Sequence, residues 1–178
     1  MRIVDKRPKV SRREVLTAGG AVLVAATVTP AGVVTGKAWA ATPQALKPET
    51  FATLVQMSRD IYPHDNFADA LYATAVEGLD KAASGDAGTK KLLEDGVASL
   101  NSAAKNAHKA PYDQVGWEID RVILLRNIEK GPFFQKVRGH LVTGLYNQPK
   151  VWVLLGYEGE SASKGGYIDR GFDDINWI

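Results

Sequence analysis

AGTKKLLEDGVASLNSAAKNA, residues 87–107, brings Leu92, Leu93, Val97, Leu100 and Ala104 to one side of a spiral with the helical period of about 3.6 residues. Glu94 and Asp95 on the same helix read as solubilising charges. Reading outward, the same period recurs. Ser84-Gly85-Asp86 closes a preceding helix in which Phe67, Leu71, Ala75 and Leu79 follow at four-residue steps, with Asn66 as its candidate N-cap and Asp69 three residues on. Before that, Pro48 suits a first helical turn, and Phe51, Leu54, Val55 and Ile61 share a face until Pro63 ends it. After Pro111, Val115, Ile119, Val122, Ile123 and Leu125 predict a fourth helix stopping near Gly131-Pro132. Phe133, Phe134, Val137, Leu141 and Leu145 predict a fifth, ending before Pro149. Residues 149–155 read as a last short helix or an extended piece. No strand alternation competes, so the expected class is all-α, an irregular bundle of about five helices over residues 48–155.

The last stretch, GYEGESASKGGYIDRGFDDINWI (residues 156–178), differs in kind. Its glycines exclude a regular helix, yet Tyr157, Tyr167, Phe172, Trp177 and Ile178 are large and apolar. A disordered tail normally lacks such residues. The tail is therefore expected to be anchored, either on its own bundle or on another protein, where aromatic side chains are enriched.

The first forty residues have the order of a secretory leader. Arg2, Lys6, Arg7, Lys9, Arg12 and Arg13 precede a weakly apolar segment from Val15 to Val34, and Ala38-Trp39-Ala40 then offers small side chains before Ala41, the expected first residue after cleavage. Gly19, Gly20, Pro30 and Gly32 make this a poor permanent membrane span. Ser-Arg-Arg-Glu-Val-Leu, residues 11–16, resembles the bacterial twin-arginine (Tat) export signal, departing from it in Val15 where Phe is commonest. A general secretory leader is the alternative. Ser11, Leu16, the glycine-rich core and Lys37 favour the twin-arginine reading, which implies export of folded cargo by the Tat translocase to the periplasm. Residues 41–47 read as a linker.

Removing the leader changes the charge. It holds seven Lys and Arg against Asp5 and Glu14, so the formal +2 of the whole chain becomes −3 over residues 41–178. Such a domain, without basic clusters, is a poor partner for nucleic acid or anionic lipid. The chain has no cysteine, which excludes thiolate metal sites, iron–sulfur clusters, covalent c-type haem and cysteine nucleophiles. No phosphate-binding glycine loop, Rossmann fingerprint or nucleophile elbow is present. Of the three histidines, His64 beside Asp65 reads as part of a helix-linking turn. The sharper alternative makes the pair a metal or acid–base site. His108 suits a helix C-terminus, and His140 the edge of the core. No catalytic, cofactor-binding or metal-binding residue is assigned to this chain.

Three pieces of the chain, in order, resemble the gluconate 2-dehydrogenase subunit 3 family: Asp60-Ile61-Tyr62-Pro63-His64-Asp65; Gly131-Pro132-Phe133-Phe134 with the helix through Leu141, Thr143 and Tyr146; and Pro149-x-x-Trp152 leading into Leu155-Gly156-Tyr157-x-Gly159. The likeness covers most of residues 48–178. It implies a non-catalytic small subunit that serves as chaperone and export escort for a large FAD-dependent dehydrogenase subunit of the glucose-methanol-choline type. A multihaem cytochrome c subunit often completes such complexes. FAD would then sit in the partner, and Trp152, Tyr157, Tyr167, Phe172 and Trp177 are the expected partner contacts. Some relatives are linked to their partner by a disulfide; this chain, lacking cysteine, would hold it non-covalently. A free periplasmic enzyme or metal-binding protein using His64 and Asp65, or a stand-alone helical ligand-binding domain, are the competing expectations.

Overall fold

A computed structural model describes residues 43–168 and the backbone of residues 28–29 and 32–33. The chain divides into two units, Met1–Trp39 and Ala40–Ile178. In the first, β1 (Val28–Thr29) pairs antiparallel with β2 (Gly32–Val33), Val28 opposite Val33 and Thr29 opposite Gly32. The twin arginines, Ala38, Ala40 and Ala41 lie outside the described residues, as do Phe172 and Trp177.

The second unit is all-α. Among its described residues six helices follow one another: α1 (Pro48–Ile61), α2 (Asp69–Gly85), α3 (Ala87–His108), α4 (Glu118–Ile128), α5 (Pro132–Gly144) and α6 (Pro149–Leu155). Single 3-10 turns lie at Tyr112–Gln114 and Ala162–Lys164. Helix α2 packs against α1, α3 and α5, and α4 against α1, α3 and α5. The core is formed by Leu54, Met57, Tyr72, Leu79, Leu93, Leu100, Leu141 and Leu145, each essentially removed from solvent. Every such leucine contributes about 1.5–3 kcal/mol of apolar burial. Among the described residues no helix is long and apolar enough to cross a membrane.

Carboxylates borrowed from other helices fix the start of the body. Lys47, the N-cap of α1, makes no capping bond with its own side chain. Glu94 of α3 supplies the cap instead, accepting Lys47 N–H at 2.8 Å and the Thr50 hydroxyl at 2.7 Å. Asp80 of α2 accepts three successive amides, Gln44 at 2.6 Å, Ala45 at 3.0 Å and Leu46 at 2.8 Å. Part of the stretch read as a linker is thus pinned to the bundle, with Leu46 buried. Burial alone would raise the Asp80 pKa, but the three amide donors outweigh it and hold the carboxyl below its usual range.

Two local expectations are corrected. Asn66 is exposed and does not cap α2, whose N-cap is Ala68. The entry loop is fixed from α1, where the Arg59 guanidinium donates to Asp69 at 2.6 Å and to the Phe67 carbonyl at 3.2 Å. The inward face of α4 is also different. Val115 lies before the helix, and Ile119 and Ile123 face solvent, while Leu124 and Leu125 are buried. The cause is Arg121, which occupies an inward position. Its Nε and Nη2 donate to the two oxygens of Asp60 on α1 at 2.8 and 3.0 Å, and its Nη1 to the Val115 carbonyl at 2.7 Å. Tyr112 adds its hydroxyl to Asp60 at 2.7 Å. The Asp60 side chain is 2% exposed. An apolar count along the sequence places no charge inward, so it rotates α4 onto the wrong face.

Elsewhere a missing side chain sets the spacing. A Cβ on Gly96 of α3 would meet the Phe133 ring at 2.2 Å, so only glycine there lets α5 lie this close.

Two outcomes follow from these contacts. Arg121→Ala strands the Asp60 carboxylate and should cost about 3–5 kcal/mol in urea unfolding, against about 1–2 kcal/mol for Tyr112→Phe, which removes one hydrogen bond to a charged acceptor. For Asp80, a lowered folded-state pKa means that its stabilisation is complete above the unfolded value of about 3.9 and is lost as pH falls through the folded value. Asp80→Asn should therefore lower the urea midpoint at pH 7, by about 2 kcal/mol of stability, and should make it less sensitive to pH below about 4 than the parent.

Candidate docking face

The face that carries Trp152 is built from the end of α5 onward. The Gln148 side chain donates to the carbonyls of Leu71 on α2 and Gly144 on α5, at 2.9 and 2.8 Å, fixing where α6 starts. Pro149 opens the helix and Val151 is its one fully buried residue. Gly156 ends it with φ +71°, a left-handed conformation suited to glycine. Tyr157 N–H then returns to the Trp152 carbonyl at 2.8 Å. A helix held by so few inward side chains leaves the rest outside: Val153 is 80% exposed, and Leu154, Leu155 and Tyr157 are exposed beside it. Val142 on α5, 54% exposed, adds to the apolar surface.

Trp152 is half-buried and doubly fixed. Its indole N–H donates to the Tyr146 carbonyl at 2.7 Å, and the Tyr157 ring meets it edge-on at 5.6 Å. Between these rings and α5 lies an open groove of about 490 Å³, lined by Val142, Thr143, Tyr146, Asn147, Trp152, Tyr157 and Glu160.

Tyr146 joins this groove to the turn after α1. Its hydroxyl is 2.7 Å from His64 Nε2, and its ring stands edge-on to Tyr62 at 5.6 Å and to His64 at 5.7 Å. His64 in turn stacks on Phe67 at 4.2 Å. Burial first, and the neighbouring Tyr62 second, raise the Tyr146 hydroxyl pKa, so it stays protonated. His64 is thus one ring in an aromatic corner, while Asp65 beside it is exposed. Among the described residues no group of three or more His, Asp or Glu side chains gathers in a geometry for a metal ion. His140 hydrogen-bonds the Ala75 carbonyl at 2.9 Å from the core edge, and His108 Nδ1 lies 3.9 Å from Asp120.

A second, smaller groove of about 180 Å³ lies between α4 and α5, with Tyr62, Val122, Phe134, Arg126 and Arg138 on its walls. Of the residues expected to contact a partner, Trp152 and Tyr157 come together, Tyr167 is exposed with no ring contact among the described residues, and Phe172 and Trp177 lie outside them. Sequence reasoning passed over Val142, Arg126 and Arg138. The four-residue spacing Phe134, Arg138, Val142, Tyr146 is the signal that would have found this stripe on one side of α5. The three sequence pieces quoted above meet at Tyr146, which touches Tyr62 and His64 on one side and accepts from Trp152 on the other. Comparison of the chain with family models, curated proteins and solved structures finds no match.

Proposed function

We propose that this chain is the non-catalytic small subunit of a periplasmic FAD-dependent dehydrogenase, acting as chaperone and export escort for the flavoprotein. The observation that carries the reading is the exposed apolar surface of Val142, Val153, Leu154, Leu155 and Tyr157 around an immobilised Trp152. Exposed apolar side chains gathered in this number mark interaction sites. A rigid aromatic anchor flanked by aliphatic side chains is also how interface hot spots are built. The sequence supports the nature of the partner: the three family-like pieces meet at Tyr146 on this face, and Arg12-Arg13 stands ahead of them in the chain.

The division of labour has a physical logic. A flavoprotein loads FAD and folds in the cytoplasm, docks on this face, and leaves through a route that carries folded cargo, so one leader serves both chains. FAD and the substrate belong to the partner, and a multihaem cytochrome c subunit would take electrons from it. With no cysteine to link the chains, the contact has to reach the roughly 1,200–2,000 Å² of a stable non-covalent interface. The competing reading, a metal or acid–base site at His64 and Asp65, has less support, because Tyr146 and Phe67 already engage His64.

Replacing Arg12 and Arg13 together by lysine should leave the flavoprotein's FAD-linked dye-reduction activity in the cytoplasmic fraction; unchanged export of that activity would defeat the escort reading. Val153→Asp combined with Leu154→Asp should reduce co-purification of the flavoprotein by about a hundredfold. Because both positions are exposed, the unfolding midpoint of the chain alone should move by no more than about 0.5 kcal/mol equivalent.

A further inference from the structure

The larger groove has aromatic walls and a single charged side chain. Trp152 and Tyr157 meet at an interplanar angle of 86°, so their rings form two adjoining walls. Tyr146 lines the same groove, and its ring is held in place by the 2.7 Å contact of its hydroxyl with His64 and by the edge contact with Tyr62. Val142, Thr143 and Asn147 are neutral, which leaves Glu160 as the one formal charge on the lining. Glu160 reaches this position through Gly159. At φ +97° that glycine turns the chain beside the indole, and a Cβ on it would lie 3.7 Å from Trp152 Cζ3.

Nothing among the described residues neutralises this carboxylate. Lys164, four residues on, is engaged by Glu158 instead, through the Glu158 carbonyl and, at 3.6 Å, its carboxylate. The surrounding turn is closed by backbone bonds: Gly166 N–H donates to the Ser161 carbonyl at 2.8 Å and Lys164 N–H to the same oxygen at 3.0 Å. The Ser163 hydroxyl goes to the Glu160 carbonyl and leaves the Glu160 side chain exposed.

Three kinds of guest can be weighed against these walls. An apolar side chain would cover the rings but strand the Glu160 charge away from water, which is costly. An anion would meet the negative faces of the rings and a like charge. A cation is attracted both by the ring faces and by the carboxylate. Among cations a guanidinium fits best, because it is planar, only weakly hydrated, and able to lie on a ring while its fork reaches a carboxylate.

We propose, on the reading of this face as the flavoprotein's docking site, that the groove receives an arginine side chain of the docked flavoprotein, stacked against Trp152 and Tyr157 and paired with Glu160. The aliphatic side chains beside it, Val153, Leu154 and Leu155, supply apolar area without direction. The cation seat supplies register, as complementary charges do across interfaces.

The flavoprotein is co-produced with the full-length chain, and its retention on the purified chain is measured across a range of sodium chloride concentrations. Glu160→Lys should lower retention by about a hundredfold, and Glu160→Gln by about tenfold with a flatter dependence on salt. Tyr157→Phe, which keeps the ring, should stay within about threefold of the parent, whereas Tyr157→Leu should lose about tenfold. Glu160 and Tyr157 are exposed, so the unfolding midpoint of the chain alone should not move. Full retention by Glu160→Lys, an unaltered salt dependence in Glu160→Gln, or equal retention by Tyr157→Phe and Tyr157→Leu would each overturn the cation seat. Val153→Asp with Leu154→Asp, run in the same assay, separates the two levels. If that pair releases the flavoprotein while Glu160→Lys retains it, the cation seat alone falls; if both retain it, docking on this face falls as well.

Discussion

The carboxylate of Asp60 sits where α1, the turn at Tyr112 and α4 meet, and it can sit there only because all three arrive together. A lone charge removed from water costs several kcal/mol even after relaxation. Asp60 avoids that cost through the forked bond from Arg121 and the hydroxyl of Tyr112, with Gln56 adding its side-chain amide at 3.2 Å. Burial and the adjacent carboxylate both raise the Tyr112 pKa, burial the more, so its hydroxyl remains a donor at any ordinary pH. The bond with Asp60 likewise raises Arg121 above its already high pKa, against the opposing effect of burial. The remaining Arg121 nitrogen holds the Val115 carbonyl and so fixes the loop entering α4. The rotation of α4 follows, and with it the outward placement of Ile119 and Ile123 and the wall of the smaller groove.

Polar groups tie the rest of the body together in the same manner, at points where helices begin. Asp80 and Glu94 reach back from α2 and α3 to the amides ahead of α1, and Arg59 reaches from α1 to the start of α2. Each contact stabilises a helix end that lacks a side-chain cap of its own, so these ends depend on tertiary structure. No buried side-chain nitrogen or oxygen among the described residues lacks a partner. The interior is therefore closed in the polar as well as the apolar sense.

This explains which parts of the fold could be read along the chain. The span of helix α3 was legible because its inward residues keep helical spacing; Asp86, read only as the close of the preceding helix, also caps α3 by accepting Gly88 and Thr89 N–H. Prolines 48, 63 and 132 marked boundaries for an equally local reason. The cap of α2 was misplaced because the helix starts at Ala68, which has no capping side chain, and Arg59, ten residues earlier than Asp69, holds the entry loop by donating to Asp69 and to the Phe67 carbonyl. The phase of α4 was misread because an arginine faces inward toward a carboxylate 61 positions away. At the candidate site, the aromatic character of the C-terminal region was evident, but the role of Tyr146 was not. That residue belongs to the end of a helix by spacing, and only folding places its hydroxyl on His64 and its carbonyl on Trp152.

The rigidity of the docking face bears on what kind of partner it can take. Association loses free energy for every side chain that must be ordered on binding, about 0.5–1.5 kcal/mol for each flexible one. Trp152 is already fixed by a hydrogen bond and a ring contact, and α6 by Gln148 and Val151, so much of that ordering is complete before a partner arrives. A preformed face suits a partner that is itself folded when it docks. It suits less well a chain that would have to fold upon this surface, since such a chain would gain little from the rigidity and would bear its own ordering cost. On the proposed reading the flavoprotein is folded around FAD before export, and a rigid apolar surface on a small helical body is the simplest non-covalent means of holding it.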